Sequence, residues 1–333
     1  MGKKILLIFV LLIGILSVNA QISKMINDDV LVVLRVDYKH FIQTDAYLLM
    51  RFQSLASDKT SLMTRFAEET GFVPEKNLSN MYVIIDKNIN KTNGRMGFVF
   101  DGQFDSEKTA EFFAKMSTGE VSFTKKIYNE NIFYVSNDNS SYSFFSDNIL
   151  VMGNFDYVKD LYSSFIKEKN PTSPVKKTDK KTDKKTENKP EINKISDFVT
   201  GKHDYLITGI MNIMPETREN ISNSYPQFKN YSNIDFLTVK SNIGETIDFS
   251  LDFVMLDKES AKSIGGSLGN MKIMGMLYLS RFGLNTVLSK FNHSYKDEKV
   301  TIEASLTKED IAKITEFYNN NFNKQPKNEE NNK

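Results

Sequence analysis

Residues Pro171 to Pro190 read PTSPVKKTDKKTDKKTENKP, and this stretch decides how the chain is divided. Val175 is its one large apolar side chain, so ordering the segment would cost chain entropy with almost no buried surface in return. Seven lysines there stand against Asp179, Asp183 and Glu187, a local charge of +4. The segment 170–195 therefore reads as a disordered linker. On either side, strand-like and helix-like runs alternate. They give a first folded half over 21–169, a second over 196–322, and a solvated tail over 323–333. A chain of 333 residues has room for two domains.

In the first half, Val30 to Val36 (VLVVLRV) is a buried-strand run, and Asp37 is placed to cap a helix from Tyr38. Phe41, Leu48, Leu49, Phe52 and Leu55 then recur at helical spacing. Ser61 to Thr70 predicts a second helix with Gly71 as its C-terminal stop. Met81–Ile85 and Met96–Phe100 form a strand pair. Asp105 opens a helix, and Phe123–Tyr128, Ile132–Val135, Tyr142–Phe145 and Ile149–Met152 are short strands separated by Asn-rich turns. A helix with Val158, Leu161, Tyr162 and Phe165 on its apolar side follows.

The second half repeats that order loosely. Tyr205–Ile213 is a strand, and Glu216–Phe228 is a helix broken before Pro226. Phe236–Asn242 pairs with Thr246–Leu256, and Asp257 opens a helix as Asp105 did. Lys299–Leu306 is a strand, and Thr307 to Asp310 caps a last helix. GFVFDGQFDSEKTAEFFAKM (Gly97–Met116) is echoed in pattern by DFSLDFVMLDKESAKSIGGSL (Asp248–Leu268). LVMGNFDYVKDLYSSF (Leu150–Phe165) is echoed by IEASLTKEDIAKITEF (Ile302–Phe317). The fold class that follows is α+β: two related halves, each a mostly antiparallel sheet with helices packed on one face.

Leu31–Asp37, Glu69–Leu78 (ETGFVPEKNL), Gly97–Met116 and Glu298–Phe317 carry a resemblance. The chain resembles a loose group of uncharacterised exported bacterial cell-envelope proteins with duplicated α+β halves. The resemblance covers most of the chain and has no catalytic motif to carry over. It implies a cell-envelope protein and nothing finer.

The N-terminus reads as an address. Lys3 and Lys4 precede an apolar run, Ile5 to Leu16, too short to span a bilayer comfortably, and Val18 and Ala20 occupy the −3 and −1 positions of a cleavage site. Residues 1–20 are thus expected to be a signal peptide and Gln21 the mature N-terminus, in the periplasm or outside the cell. The chain has no cysteine, so lipid anchoring, disulfides and thiolate metal sites are not expected. Losing Lys3 and Lys4 takes the formal charge from +1 to −1, and setting aside the linker's +4 leaves −5. That balance argues against nucleic acid as a partner.

Motifs for chemistry fail on context. Gly265-Gly266-Ser267-Leu268-Gly269 matches G-x-S-x-G, which needs a strand-to-helix turn at the serine and an acid before a histidine downstream. The residues before Ser267 read as helix, and no Asp or Glu lies between Ser267 and His293. Ser305-Leu306-Thr307-Lys308 and Ser146-Asp147-Asn148 match two penicillin-binding motifs in the wrong order, without the third. Asp86 to Asn90 starts like a calcium loop, but Lys91 and Gly97 stand where Gly and Glu are needed. His40, His203 and His293 show no metal-ligand spacing, and Asp37 beside His40 reads as a helix cap more than an acid–base couple. No phosphate or dinucleotide fingerprint occurs, so no cofactor and no catalytic residue is expected.

The unusual segment is Ile264 to Phe291 (IGGSLGNMKIMGMLYLSRFGLNTVLSKF), rich in Gly and Met. Lys272 and Arg281 interrupt it as a membrane span. It predicts two helices, either buried on the second sheet or presenting a face to a partner or a hydrophobic ligand. The candidate face is Met271, Met274, Met276, Leu277 and Leu284, at least one of them exposed. The function expected first is an exported, non-enzymatic binding or scaffolding module for an envelope protein. A carrier or sensor of a hydrophobic small molecule comes second, and a serine hydrolase using Ser267 is the weakest alternative.

Overall fold

The computed structural model describes residues 21–26, 29–44, 47, 62–88, 95–115, 122–167, 195–196, 198–199, 201, 204–224 and 226–321. The expected signal segment, residues 170–194 of the expected linker and the tail from 322 onward lie outside the described residues. Ile195, counted with the linker by composition, is instead helical and buried. Two compact units are distinguished, one built mainly from residues up to Asp204 and one from Tyr205 onward.

The first unit runs β1 (Val30–Asp37), α1 (Tyr38–Phe41), α2 (Leu62–Thr70), α3 (Pro74–Asn77), β2 (Leu78–Asp86) and β3 (Met96–Gly102). It continues with α4 (Ser106–Lys115), β4 (Phe123–Tyr128), β5 (Asn131–Ser136), β6 (Ser140–Ser146), β7 (Ile149–Asn154) and α5 (Phe155–Lys167). Its strands lie in the order β1-β2-β3-β7-β6-β5-β4, and each neighbouring pair is antiparallel. The turns follow from local chemistry. Asn129 and Glu130 both take positive φ (47° and 65°) in the two-residue turn between β4 and β5, the geometry that matches strand twist. Gly71 ends α2 at φ +73°, a left-handed conformation that glycine adopts without a Cβ clash. Asp37 caps the single turn α1, accepting from the His40 N–H at 3.2 Å. The helix ends at Phe41 in a turn over 42–44, and Leu48, Leu49, Phe52 and Leu55 of the longer helix expected here fall outside the described residues.

Helices cover both faces of this sheet, which corrects the one-face expectation. Phe133 and Tyr134 are neighbours on β5, so their side chains leave opposite faces. The Phe133 ring meets Phe155 and Tyr162 of α5 at 5.8 and 5.7 Å. Tyr134 stacks on Tyr142 at 4.7 Å, and Tyr142 meets Phe113 of α4 at 4.3 Å. Phe66 of α2 extends that second layer by packing on Phe112 at 5.1 Å. Aromatic rings are large enough to close a core on each side of one sheet.

The second unit runs β8 (Ile207–Asn212), α6 (Pro215–Ser224), a 3₁₀ segment (Pro226–Asn233), β9 (Ile234–Ile243), β10 (Thr246–Met255) and α7 (Lys258–Ser280). It ends with α8 (Asn285–Ser289), β11 (Asn292–Lys296), β12 (Lys299–Thr307) and α9 (Lys308–Asn321). The strand order is β8-β9-β10-β12-β11, again antiparallel throughout. Val300, Ala304 and Leu306 share one face of β12 because they alternate along it. Val300 packs with Ala261 and Ile264 of α7, while Ala304 and Leu306 pack with Ile311, Ile314 and Phe317 of α9. Here the helices do share a face. The opposite face is polar: Asp252 lies there, buried and accepting from the Thr301 hydroxyl at 2.7 Å. Strand β11 (NHSYK) is absent from the sequence reading, since it has no apolar alternation to mark it.

Candidate functional site

Helix α7 begins at Asp257, whose carboxylate accepts from the Ser260 N–H at 2.7 Å and from its hydroxyl at 2.8 Å. These bonds hold the Asp257 carboxyl below the usual carboxylate range. Ala261, Ile264 and Gly265 bury the first turns. A Cβ on Gly265 would lie 2.4 Å from the Tyr295 ring of β11, so glycine is what lets helix and strand approach so closely. The helix ends at Gly283 (φ +71°). Its N–H donates to the Ser280 carbonyl, and the Leu284 N–H donates to the Leu279 carbonyl at 3.1 Å. That bond pair brings Leu284 onto Leu279 and into the core with Val287 and Leu306.

Between these anchors the helix turns a large apolar surface outward. Met271 is 56% exposed, Ile273 62%, Met274 71%, Leu277 73% and Tyr278 56%. Inward go Leu268, packed on the Val300 cluster, and Leu279. Lys272, the one charged residue from Ile264 to Ser280, has its ammonium 3.3 Å from the Ser289 carbonyl. The Arg281 guanidinium lies 3.8 Å from the centre of the Tyr278 ring, a contact that shields one end of the surface.

Of the five residues read from sequence, Met271, Met274 and Leu277 lie on this outer face. Met276 is half-buried. Leu284 is a core residue and leaves the candidate face, because the helix stop at Gly283 turns it inward. Ile273 and Tyr278 were missed, although each lies three or four positions from a residue already on the face.

The other candidates are placed as follows. Ser267 sits in the middle of α7, and its hydroxyl donates to the Ser263 carbonyl at 3.0 Å. It occupies no strand-to-helix turn. His293 on β11 lies beneath α7, where a Cβ on Gly269 would be 3.4 Å from Nε2. Ser146-Asp147-Asn148 spans the turn between β6 and β7, and Ser305 lies on β12 while Lys308 opens α9. Asp86 is buried and accepts from Arg95 at 3.0 Å and from the Asn88 N–H at 2.7 Å. His40 is exposed, with Nδ1 3.0 Å from Asp37, which Arg35 also contacts at 3.3 Å. His203 lies outside the described residues. Among the described residues, no group of three or more His, Asp or Glu side chains could hold a metal, and no helix is long and apolar enough to cross a membrane.

No known family and no curated protein matches the chain. One solved structure, described as crystal form I of TP0453, aligns with 89% of this chain and 96% of its own at 9% identity, with a TM-score of 0.45. That likeness is too slight to bear on fold or function.

Proposed function

We propose that this chain is an exported, non-enzymatic cell-envelope protein that works as a binding or scaffolding module through the outer face of α7. The observation that carries the reading is the row of five large apolar side chains left in water on one helix. Fully exposing such a side chain forfeits about 1.5–3 kcal/mol of burial, and these, at 56–73% exposed, forfeit a large part of it, so a face of them marks a contact surface. Methionines suit that role because their flexible thioether chains repack around a partner. The position of Ser267 inside a helix supports leaving out hydrolase chemistry. Export rests on residues 1–20 and predicts Gln21 as the first residue of the mature chain.

The two units are read as products of a duplication. The order β1-β2-β3-β7-β6 in the first matches β8-β9-β10-β12-β11 in the second, element for element. In both, the third strand leads through a capping aspartate into a helix, Asp105 before α4 and Asp257 before α7. The units also depart: β4 and β5 have no counterpart in the second, α8 has none in the first, and α4 and α5 lie on opposite faces whereas α7 and α9 share one.

The experiment replaces Met274 and Leu277 together by Ser. The expected result is a melting temperature within about 2 °C of the parent, since neither side chain is in a core. Retention on cell-envelope material should fall at least tenfold. Full retention, or a large loss of stability from these exposed positions, would sink the reading.

A further inference from the structure

We propose that the partner of this face is a second copy of the chain, with the two α7 helices paired antiparallel about a two-fold axis beside Lys272. This rests on the binding reading above and names its occupant. Three observations favour it.

The first is spacing. The outward residues fall in two rows, Gly266–Asn270–Ile273–Leu277 and Ser267–Met271–Met274–Tyr278, each stepping by four, three and four. Alternating steps of three and four keep a row facing one neighbouring helix along its length. The helix has 23 residues, about 34 Å of contact line.

The second is size. The N-terminal half of the outer face is small: a Cβ at Gly266 would meet nothing within 4 Å, and Ser267 is exposed. The C-terminal half is bulky with Met274, Leu277 and Tyr278. A parallel pair would set bulk on bulk and leave a gap between the small halves. An antiparallel pair centred on Lys272 sets Gly266 opposite Tyr278, Ser267 opposite Leu277, Asn270 opposite Met274 and Met271 opposite Ile273. A two-fold axis makes each contact twice, as a self-complementary surface requires.

The third is area and charge. The five apolar residues expose about 600 Å² in each copy, so a pair could bury at most about 1,200 Å², the lower end of specific interfaces. The outer face carries no carboxylate. Lys272 is turned to Ser289, and Arg281 lies on Tyr278 and would stand opposite Ser263. No like charges meet in this register.

The absence of native cysteine makes the test clean. The chain from Gln21 to Lys333 is purified, and its mass is followed by light scattering and sedimentation up to about 100 µM, far above the micromolar Kd of a weak specific contact. A dimer is expected, lost in the Met274→Ser, Leu277→Ser double variant, which should melt with the parent at concentrations too low for the parent to pair. Met271→Cys should form a disulfide dimer with itself. Gly266→Cys and Tyr278→Cys, each alone, should not, since copies of either position would lie about 18 Å apart along the helices. Mixing the two should give the cross-linked heterodimer. A monomer at every concentration would overturn the proposal, and so would self-cross-linking of all three variants, which marks a parallel pair. A monomer whose envelope retention still depends on Met274 and Leu277 would overturn self-pairing and leave the binding reading standing. A dimer whose double variant is still retained on envelope material would do the reverse.

Discussion

Gly265 and Gly266 are adjacent in α7 and have opposite surroundings. At Gly265 a methyl group would run into Cδ1, Cγ and Cβ of Tyr295, and Cβ cannot swing away. Gly265→Ala should therefore destabilise by about 1–3 kcal/mol, the cost of overpacking. Gly266 has open space around it, and Gly266→Ala should stabilise by about 0.5–1 kcal/mol through helix propensity alone. Chemical denaturation of the two variants checks the contrast. If both changes moved stability the same way, the close packing of α7 on β11 would be wrong. The sequence shows two equivalent glycines; which one faces a ring depends on a strand, β11, that its pattern does not announce.

Asp310 is a second position where the neighbours decide. It closes the capping box of α9, accepting from the N–H of the cap residue Thr307 at 2.8 Å and from its hydroxyl at 2.9 Å, and it is paired with Lys290. The Lys290 ammonium, then the Thr307 N–H, hold its carboxyl down to about 2. An unfolded aspartate titrates near 3.9, so this cap gives stability that is full above about pH 4 and lost as pH falls through about 2. Lys290→Met should raise the acid-unfolding midpoint while leaving stability at pH 7 less affected than Asp310→Ala does. An unchanged acid midpoint would show that the pair contributes nothing.

Among elements, the legible ones were those with a local cause. Asp105 and Asp257 mark helix starts because a carboxylate there accepts from N–H groups the helix leaves unpaired, and both do so, Asp105 from the Lys108 N–H at 3.0 Å. The β3, β7, β10 and β12 runs alternate or are uniformly apolar, and their strands fall where that pattern puts them. What stayed hidden depends on partners distant in sequence. Whether helices cover one face or two is set by which strand a helix returns to, and nothing in Phe112 or Phe113 says so. The candidate face was half legible for the same reason. Apolar residues surround α7 on every side from Met271 to Leu279, so composition flags the segment, while only the sheet beneath tells Leu279 from Leu277.

For the whole chain, the two units with a charged, coreless stretch in the sequence between them predict a simple proteolytic pattern. Trypsin at low dose should cut first between Lys176 and Lys189 and leave two resistant fragments, read by mass spectrometry. Early cuts spread through 62–167 or 204–321 would show that the units are not stable bodies.

The distribution of phenol groups gives the chain a built-in optical gauge. It has 14 tyrosines and no tryptophan, so its near-ultraviolet spectrum belongs to tyrosine. Tyr82, Tyr142 and Tyr157, all in the first unit, are almost wholly buried. Burial is the main force that pushes Tyr82 up to about 12, and it pushes Tyr142 and Tyr157 higher still. As the pH is raised, the phenolate absorbance of these three rings should thus appear only as the first unit opens. That opening follows because a phenol held neutral by the fold stabilises it below about pH 10 and ceases to as pH climbs through about 12. The loss of circular dichroism from the stacked Tyr134–Tyr142 pair should coincide with that rise in absorbance.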